Sequence, residues 1–298
     1  MGRSNSTMRD IVLALGCSFT DANFRADNVP SEFPEHLRGG WKMWPEIFTD
    51  RLSERDGKKY KLVNLGKSGT GMHYSYRKFL EQWTVKKEFL KVVLWGGTQW
   101  SRIEHETRRI NSSVNWFDDN RINFHEDGNY HEENMNRLKL NGLYEYVKFL
   151  AGDTKSDKSY MKNLSLNLNR LVAVRDLCQA YEVDFIFYPL LNPFTTGTYE
   201  KVGGRKYRMT LEKSLDLMLK AAPDAYNDIV NSKNFIGASI FSHGWVHWTS
   251  KYRKYKKYQI GDDPYNTNRD KHPNAEGQIT IANEFWERYE KAFYKNDV

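Results

Sequence analysis

The sequence predicts an α/β fold, with a mostly parallel central sheet sandwiched between helices in three layers. Three observations predict it. Short continuous apolar runs recur at Ile11–Leu15, Tyr60–Leu65, Leu90–Trp95 and Val183–Leu191, and runs of this kind read as strands inside a covered sheet. Between them lie segments whose apolar residues return at helical spacing, the alternation expected of parallel strands joined by crossover helices. The first three runs each end at a glycine, namely Gly16, Gly66 and Gly96. In an open parallel sheet, ligands bind beyond the carboxyl ends of the strands, so these glycine turns are where chemistry is sought.

Each element follows in order. Ile11–Leu15 has no polar face and is a strand buried on both sides. The segment from Trp44 to Leu52 has helical spacing and stops near Asp56-Gly57. Tyr60–Leu65 is the second strand, closed by Gly-Lys-Ser-Gly-Thr-Gly, and Tyr74–Lys87 is the next helix. Leu90–Trp95 is the third strand and ends in Gly96-Gly97. A long helix spans Tyr160–Tyr181, its stripe formed by Leu164, Leu168, Leu171, Val174 and Cys178 at steps of three and four. Val183–Leu191 is the fourth strand, followed by Asn192-Pro193. Thr210–Leu219 and Ile279–Phe293 are further amphipathic helices. Three stretches break the pattern: Ser101–Ser159, with a helical patch at Leu143–Leu150; Thr195–Met209, rich in Gly and Tyr; and Ser242–Asn268. They read as loops or a cap within a single domain over 1–298, with residues 101–158 as the cap insertion.

Composition sets bounds. The chain has 298 residues, 39% hydrophobic and 28% charged, with 20 Gly and 8 Pro, which excludes a collagen-like, low-complexity or disordered chain. The two cysteines, Cys17 and Cys178, are too few for a disulfide framework or a cysteine zinc site. The 45 basic and 38 acidic residues leave a net charge of +7, which permits an anionic partner without requiring nucleic acid. No run approaches the roughly 18 apolar residues of a membrane span. The apolar stretch behind Met1–Asp10 is shorter than the core of a secretion signal and reads as a strand, and Gly2 with Ser6 fits the loose myristoylation pattern only as a disordered tail would.

Three stretches carry candidate chemistry. In Gly-Cys-Ser-Phe-Thr, Ser18 follows a strand and a glycine, where a hydroxyl can project from the sheet edge beside N–H groups able to meet an oxyanion; the plainer role is a cap on the next segment. In Asp-Lys-His-Pro-Asn-Ala-Glu-Gly, Asp270 stands two residues before His272, close enough for a carboxylate to fix the imidazole tautomer, although a surface histidine beside an acid would look the same. In Asn-Leu-Gly-Lys-Ser-Gly-Thr-Gly, from Asn64 to Gly71, glycines let backbone approach a ligand, and the spacing matches neither phosphate-binding fingerprint.

Taken together, the order of these blocks resembles the SGNH/GDSL hydrolase superfamily, a flavodoxin-like α/β/α fold. The resemblance rests on about 30 residues spread over nearly the whole chain. It implies a serine esterase in which Ser18 is the nucleophile, His272 the base and Asp270 the acid that orients it. The oxyanion would be met by N–H groups of Ser18 and Gly69, with Gln99 as a further donor. Three departures stand out: Cys17 occupies the family's usual acidic position, Thr98 or Gln99 stands where the third block has asparagine, and the Asp–His spacing is two rather than three. Losing one oxyanion donor costs on the order of 100–1000-fold in rate. Cys17 itself reads as a small buried hydrophobe, since neighbours on a strand face opposite ways.

Around this core, His73, Trp100 and Arg102 are expected to contact substrate, and Trp95 either lines the pocket or packs. His125, Asp127 and His131 fit no strong metal motif, and no cofactor or metal is expected. The tyrosines at 252, 255 and 258 alternate with basic residues, as in surfaces that stack sugars. The expected reaction is hydrolysis of an ester, foremost an O-acetyl group on carbohydrate. Its partner is then a small-molecule or carbohydrate ester, with neither membrane nor nucleic acid involved. The alternatives are an acyltransferase using the same triad, and a catalytically impaired domain that binds glycans or serves as a structural component. The expected location is the cytoplasm, or a virus particle, since the resemblance extends to phage proteins.

Overall fold

Five consecutive apolar residues leave a strand no solvent face, so Ile11–Leu15 (β1) must be covered from both sides, and all five are buried in the computed structural model. The structure describes residues 9–22, 41–67, 70–98, 102–107, 110–115, 157–190, 199–202, 205–208, 211–237, 273 and 275–294, with backbone alone at 102–115, 157–163, 199–208 and 211–215. Leu90–Gly97 (β3) and Asp184–Pro189 (β6) are nearly as buried as β1. Lys61–Asn64 (β2) is only partly covered, because it is an edge strand. The four strands form one parallel sheet in the order β2-β1-β3-β6, and Phe235 adds a parallel bridge to Phe187 outside β6.

Alternation along these strands sorts the side chains into two cores. Leu13, Leu15, Val93, Trp95, Phe185 and Phe187 face one way. Val12, Ala14, Val92, Leu94, Ile186 and Tyr188 face the other. The first core is covered by Met72–Lys86 (α2), Asp157–Ala180 (α3), Leu211–Ala221 (α4) and Pro223–Val230 (α5). The expected stripe on α3 is fully realised, with Leu164, Leu168, Leu171, Val174 and Cys178 all buried. The second core is covered by Trp44–Asp56 (α1) and Ala275–Phe293 (α6), joined by stacking of Trp44 on Phe285 at 4.3 Å and an edge contact of Phe48 with Tyr289 at 5.2 Å. This is the three-layer architecture expected.

The direction of α1 and α6 positions the rest. α1 opens beside the carboxyl end of β3, where a Cβ placed on Gly96 would lie 3.3 Å from the Trp44 ring. It ends at Gly57, whose φ of 60° is the left-handed cap conformation that suits glycine. In the first turn of α6, Gln278 accepts a hydrogen bond from the Trp44 backbone N–H at 3.0 Å. Three turns further along α6, at the opposite edge of the sheet, the Tyr289 hydroxyl donates to Asp184 at 2.9 Å, and Lys91 pairs with the same carboxylate at 2.9 Å. Both helices therefore run from the carboxyl edge of the sheet to its amino edge.

Four details depart from the sequence reading. β3 continues through Gly96 and Gly97, paired with Tyr188 and Pro189, instead of turning at Gly96. The stretch read as irregular from Ser101 contains an antiparallel hairpin of Arg102–Thr107 (β4) and Ile110–Asn115 (β5). The Gly/Tyr-rich stretch contains a second hairpin, Tyr199–Val202 (β7) and Arg205–Arg208 (β8). Helix α5 has no counterpart in the reading, although Pro223 at its start is a helix-opening signal. The patch at 143–150 and the basic tyrosine stretch at 251–258 lie outside the described residues. Among those that are described, no helix is long and apolar enough to cross a membrane.

Candidate active site

The strand order reverses between β1 and β3. The chain leaves β1 for β2 on one side, then returns to build β3 and β6 on the other. In such a sheet the loops after the two central strands diverge above and below it, which opens a crevice at the carboxyl edge. The loop after β1 begins at Gly16 and places Ser18 at this carboxyl edge.

That loop is tightly wound. The Cys17 carbonyl accepts from the N–H groups of both Thr20 and Asp21, at 2.9 and 3.0 Å. Ser18 and its neighbour are thus in a turn rather than on the strand, which corrects the argument that strand alternation separates them. The turn nevertheless puts Cys17 wholly inside the second core. Ser18 keeps 7% of its surface exposed.

Thr20 is the hub of the loop. A Cβ on Gly16 would fall 2.1 Å from the Thr20 Oγ1 and one on Gly66 would fall 2.6 Å from the Thr20 Cβ. A Cβ on Gly96 would reach to 3.1 Å of the same hydroxyl oxygen. The glycines that end β1 and β2, and the one near the end of β3, therefore converge on a single threonine, and any side chain at Gly16 or Gly66 would push the loops apart. Hydrogen bonds complete the fastening. The Asn64 side-chain amide donates to the Thr20 carbonyl at 2.7 Å, and its carbonyl oxygen accepts from Gly66 N–H at 2.9 Å. The Lys67 N–H donates to the Gly16 carbonyl at 3.1 Å. Past β3, the buried Thr98 hydroxyl lies 3.4 Å from the Thr70 carbonyl, linking the third loop to the second. Sequence reading identifies the glycines and misses Thr20, Asn64 and Thr98, whose roles need the spatial partner to be recognised.

The expected site residues fare differently. Ser18 lies in the turn after β1. His73 sits on the first turn of α2, where loss of hydration around its ring, then the charges of Arg170 and Arg77, hold its imidazole below the ordinary histidine range. It is therefore neutral at neutral pH. Arg102 opens β4 opposite Asn115. Trp95 has no exposed surface and packs edge-on against Phe187, so it serves the core and does not line the crevice. Gly69, Gln99, Trp100, Asp270 and His272 lie outside the described residues, as do His125, Asp127 and His131 of the weak metal candidate. The nearest described neighbour of His272 is Pro273, which is buried, and α6 starts two residues after it at the carboxyl edge.

No family model matches the chain, and no curated protein matches it. Solved structures do resemble it. A variant of an acetyl xylan esterase from Geobacillus stearothermophilus is 12% identical with a TM-score of 0.42, covering 96% of this chain and 97% of that one. The psychrotrophic esterase EstA from Pseudoalteromonas sp. is 12% identical with a TM-score of 0.41, covering 95% and 97%. A putative GDSL-like lipase from Parabacteroides merdae is 16% identical with a TM-score of 0.41, covering 96% and 97%. At TM-scores below 0.5 these likenesses add nothing to the topology described above, which rests on the sheet and its helices.

Proposed function

We propose that the chain is an ester hydrolase of SGNH type that cleaves O-acetyl groups from carbohydrate. The observation that carries this reading is the position of Ser18. It sits just past the carboxyl end of β1, at the reversal point of the sheet, on a turn fastened to the glycine loop after β2. A hydroxyl there meets an acyl group presented at the crevice, with backbone N–H groups of two loops at hand.

In the proposed mechanism His272 takes the Ser18 proton as the oxygen attacks the acyl carbonyl, and Asp270 steadies the imidazolium that results. N–H groups of Ser18 and Gly69, with Gln99, receive the oxyanion. Its collapse expels the alcohol, which takes the proton from His272. Water, activated by the same imidazole, then releases acetate from the acyl-serine. The start of α6 at the carboxyl edge supports this assignment, since the Asp270–His272 block immediately precedes it in the chain.

The direct test is turnover of an acetylated xylooligosaccharide. Ser18→Ala should lower kcat by at least about a thousandfold with the melting temperature held. Unchanged turnover in that variant would remove Ser18 from the reaction.

A further inference from the structure

We propose that Asn64 is a positioning residue for the esterase reaction: its side-chain amide holds the turn that carries Ser18 at a fixed distance from the glycine loop after β2. The inference rests on the esterase reading and adds to it a residue that acts through Ser18.

Two carbonyls bound the Ser18 turn, and both are held from the loop after β2. The backbone ladder between β1 and β2 runs on past the strands: the Leu65 N–H donates to the Ala14 carbonyl at 2.8 Å, and the Lys67 N–H to that of Gly16 at 3.1 Å. This fixes the turn where it begins. Where it ends, the Asn64 amide nitrogen donates to the Thr20 carbonyl at 2.7 Å, from 44 residues away. The oxygen of the same amide accepts from the Gly66 N–H at 2.9 Å. It thereby keeps Gly66 against Thr20, where a Cβ at position 66 would fall 2.7 Å from the Thr20 carbonyl carbon. Ser18 lies between the two fastenings. The turn is closed on itself by the Cys17 carbonyl, which accepts from the Thr20 and Asp21 N–H groups, so it moves as one piece.

The fastenings differ in kind. The one at Gly16 joins backbone to backbone, and any residue other than proline at position 67 supplies it. The one at Thr20 needs a short side chain with a donor at one end and an acceptor at the other, which a primary amide has and a carboxylate lacks. On the far side of Lys67 the Thr70 hydroxyl donates to the Lys67 carbonyl at 2.7 Å, so the glycine loop is tied down as well. Release of the Thr20 end would let the Ser18 turn swing about its Gly16 end, and Ser18 would shift against the loop that carries Gly69. Misplacement by about 1 Å in such a site can cost on the order of 100-fold in rate.

The test is turnover of an acetylated xylooligosaccharide by three variants, at a temperature where each is folded. In Asn64→Ala, kcat should fall at least about tenfold while KM holds, the pattern of a contact that matters only in the transition state. Asn234→Ala removes a like bond elsewhere, from an asparagine amide to the Phe185 carbonyl at 2.7 Å, and should leave kcat unchanged. In Asn64→Asp the new carboxylate would face the Thr20 carbonyl oxygen, whereas its protonated form again offers a donor and an acceptor. The ratio of its kcat to that of the parent should therefore rise as pH falls from about 8 towards about 5, since partial burial beside a carbonyl raises a carboxyl above its ordinary range. Asp21 and Lys67, the charged neighbours of Thr20 and Gly66, are present in both chains and cancel in the ratio. An unchanged kcat in Asn64→Ala, an equal loss in Asn234→Ala, or a ratio independent of pH overturns the proposal. If the parent turns over no ester, the esterase reading fails by itself, and hydrogen exchange decides the fastening. Faster exchange in peptides spanning both 16–22 and 64–67 of Asn64→Asp, relative to the parent at neutral pH, sustains it. Faster exchange in only one of them, or in neither, overturns it.

Discussion

The Thr20 side chain has no exposed surface, and its hydroxyl oxygen has no hydrogen-bond partner among the described residues. Its position is set by packing: Gly16 and Gly66 give up a Cβ to make room for it, and Gly96 leaves it space. Read from the sequence, such glycines are permission for a ligand to approach the backbone. In the fold the chain approaches itself, and only coordinates could supply the partner. A second residue-scale feature is legible in neither composition nor motif. On α6, the Glu284 carboxylate accepts a hydrogen bond from the buried Tyr188 hydroxyl. Burial, the largest influence, raises the Glu284 pKa above the ordinary range, and Glu287 adds to it, against the opposing hydrogen bond. The folded chain thus holds this proton more tightly than the unfolded chain. The stability it lends is complete below the unfolded value of about 4.3 and is lost as pH rises through the folded one. Glu284→Gln keeps the neutral form throughout. Its melting temperature should exceed that of the parent near neutral pH, and the gap should close as the pH approaches about 4; a gap independent of pH would show that the carboxyl titrates alike in both states.

At the scale of elements, what could be read depended on how each element meets water. Strands β1, β3 and β6 are covered on both faces and announce themselves as apolar runs. Helix α3 shows its stripe because one face meets the core. The two hairpins escape the sequence reading for the opposite reason: Arg-Ile-Glu-His-Glu-Thr and Arg-Lys-Tyr-Arg have no apolar run to notice. For β7 and β8 a signal did exist in the sequence, since a Gly-Gly pair such as Gly203-Gly204 is one that favours two-residue hairpin connections. The contact of α6 with α1 is a further feature without a sequence signature. The Trp44 N–H is at the start of α1, where no intrahelical carbonyl is available, and Gln278 supplies the acceptor from 234 residues away. Gln278→Ala would leave that N–H buried and unpaired, at a cost of about 1–3 kcal/mol. The melting temperature should fall by several degrees. Because α6 begins beside the proposed base, kcat on an acetylated oligosaccharide should fall as well. Asn283→Ala, which removes the Arg51 bond at 2.6 Å lower on the same helix, should leave kcat unchanged. Equal losses of kcat in both variants would mean that the first turn of α6 has no special part in positioning.

Over the whole molecule, the strand order β2-β1-β3-β6 puts its reversal point between β1 and β3, and at the carboxyl edge there the loops after β1, β2 and β3 are fastened to one another. The amino edge is built differently, around Lys91, Asp184 and Tyr289, where buried charge and hydroxyl are matched. Burial by itself would lower the Lys91 pKa, yet Asp184 holds it above the ordinary lysine value, so the lysine stays charged and its pairing with Asp184 ties β3 to β6. The two edges thus differ: the amino edge ties strands together through charge, and the carboxyl edge carries Ser18 on its fastened glycine loops. In the proposed mechanism Ser18 is activated there by the distant Asp270–His272 block. This activation is tested most directly by reaction with a serine-directed phosphonate and mass mapping of the adduct. A single adduct on Ser18 is expected, with a rate of formation that drops steeply in His272→Ala. An adduct on another residue, or one formed on Ser18 equally fast without the imidazole, would contradict it.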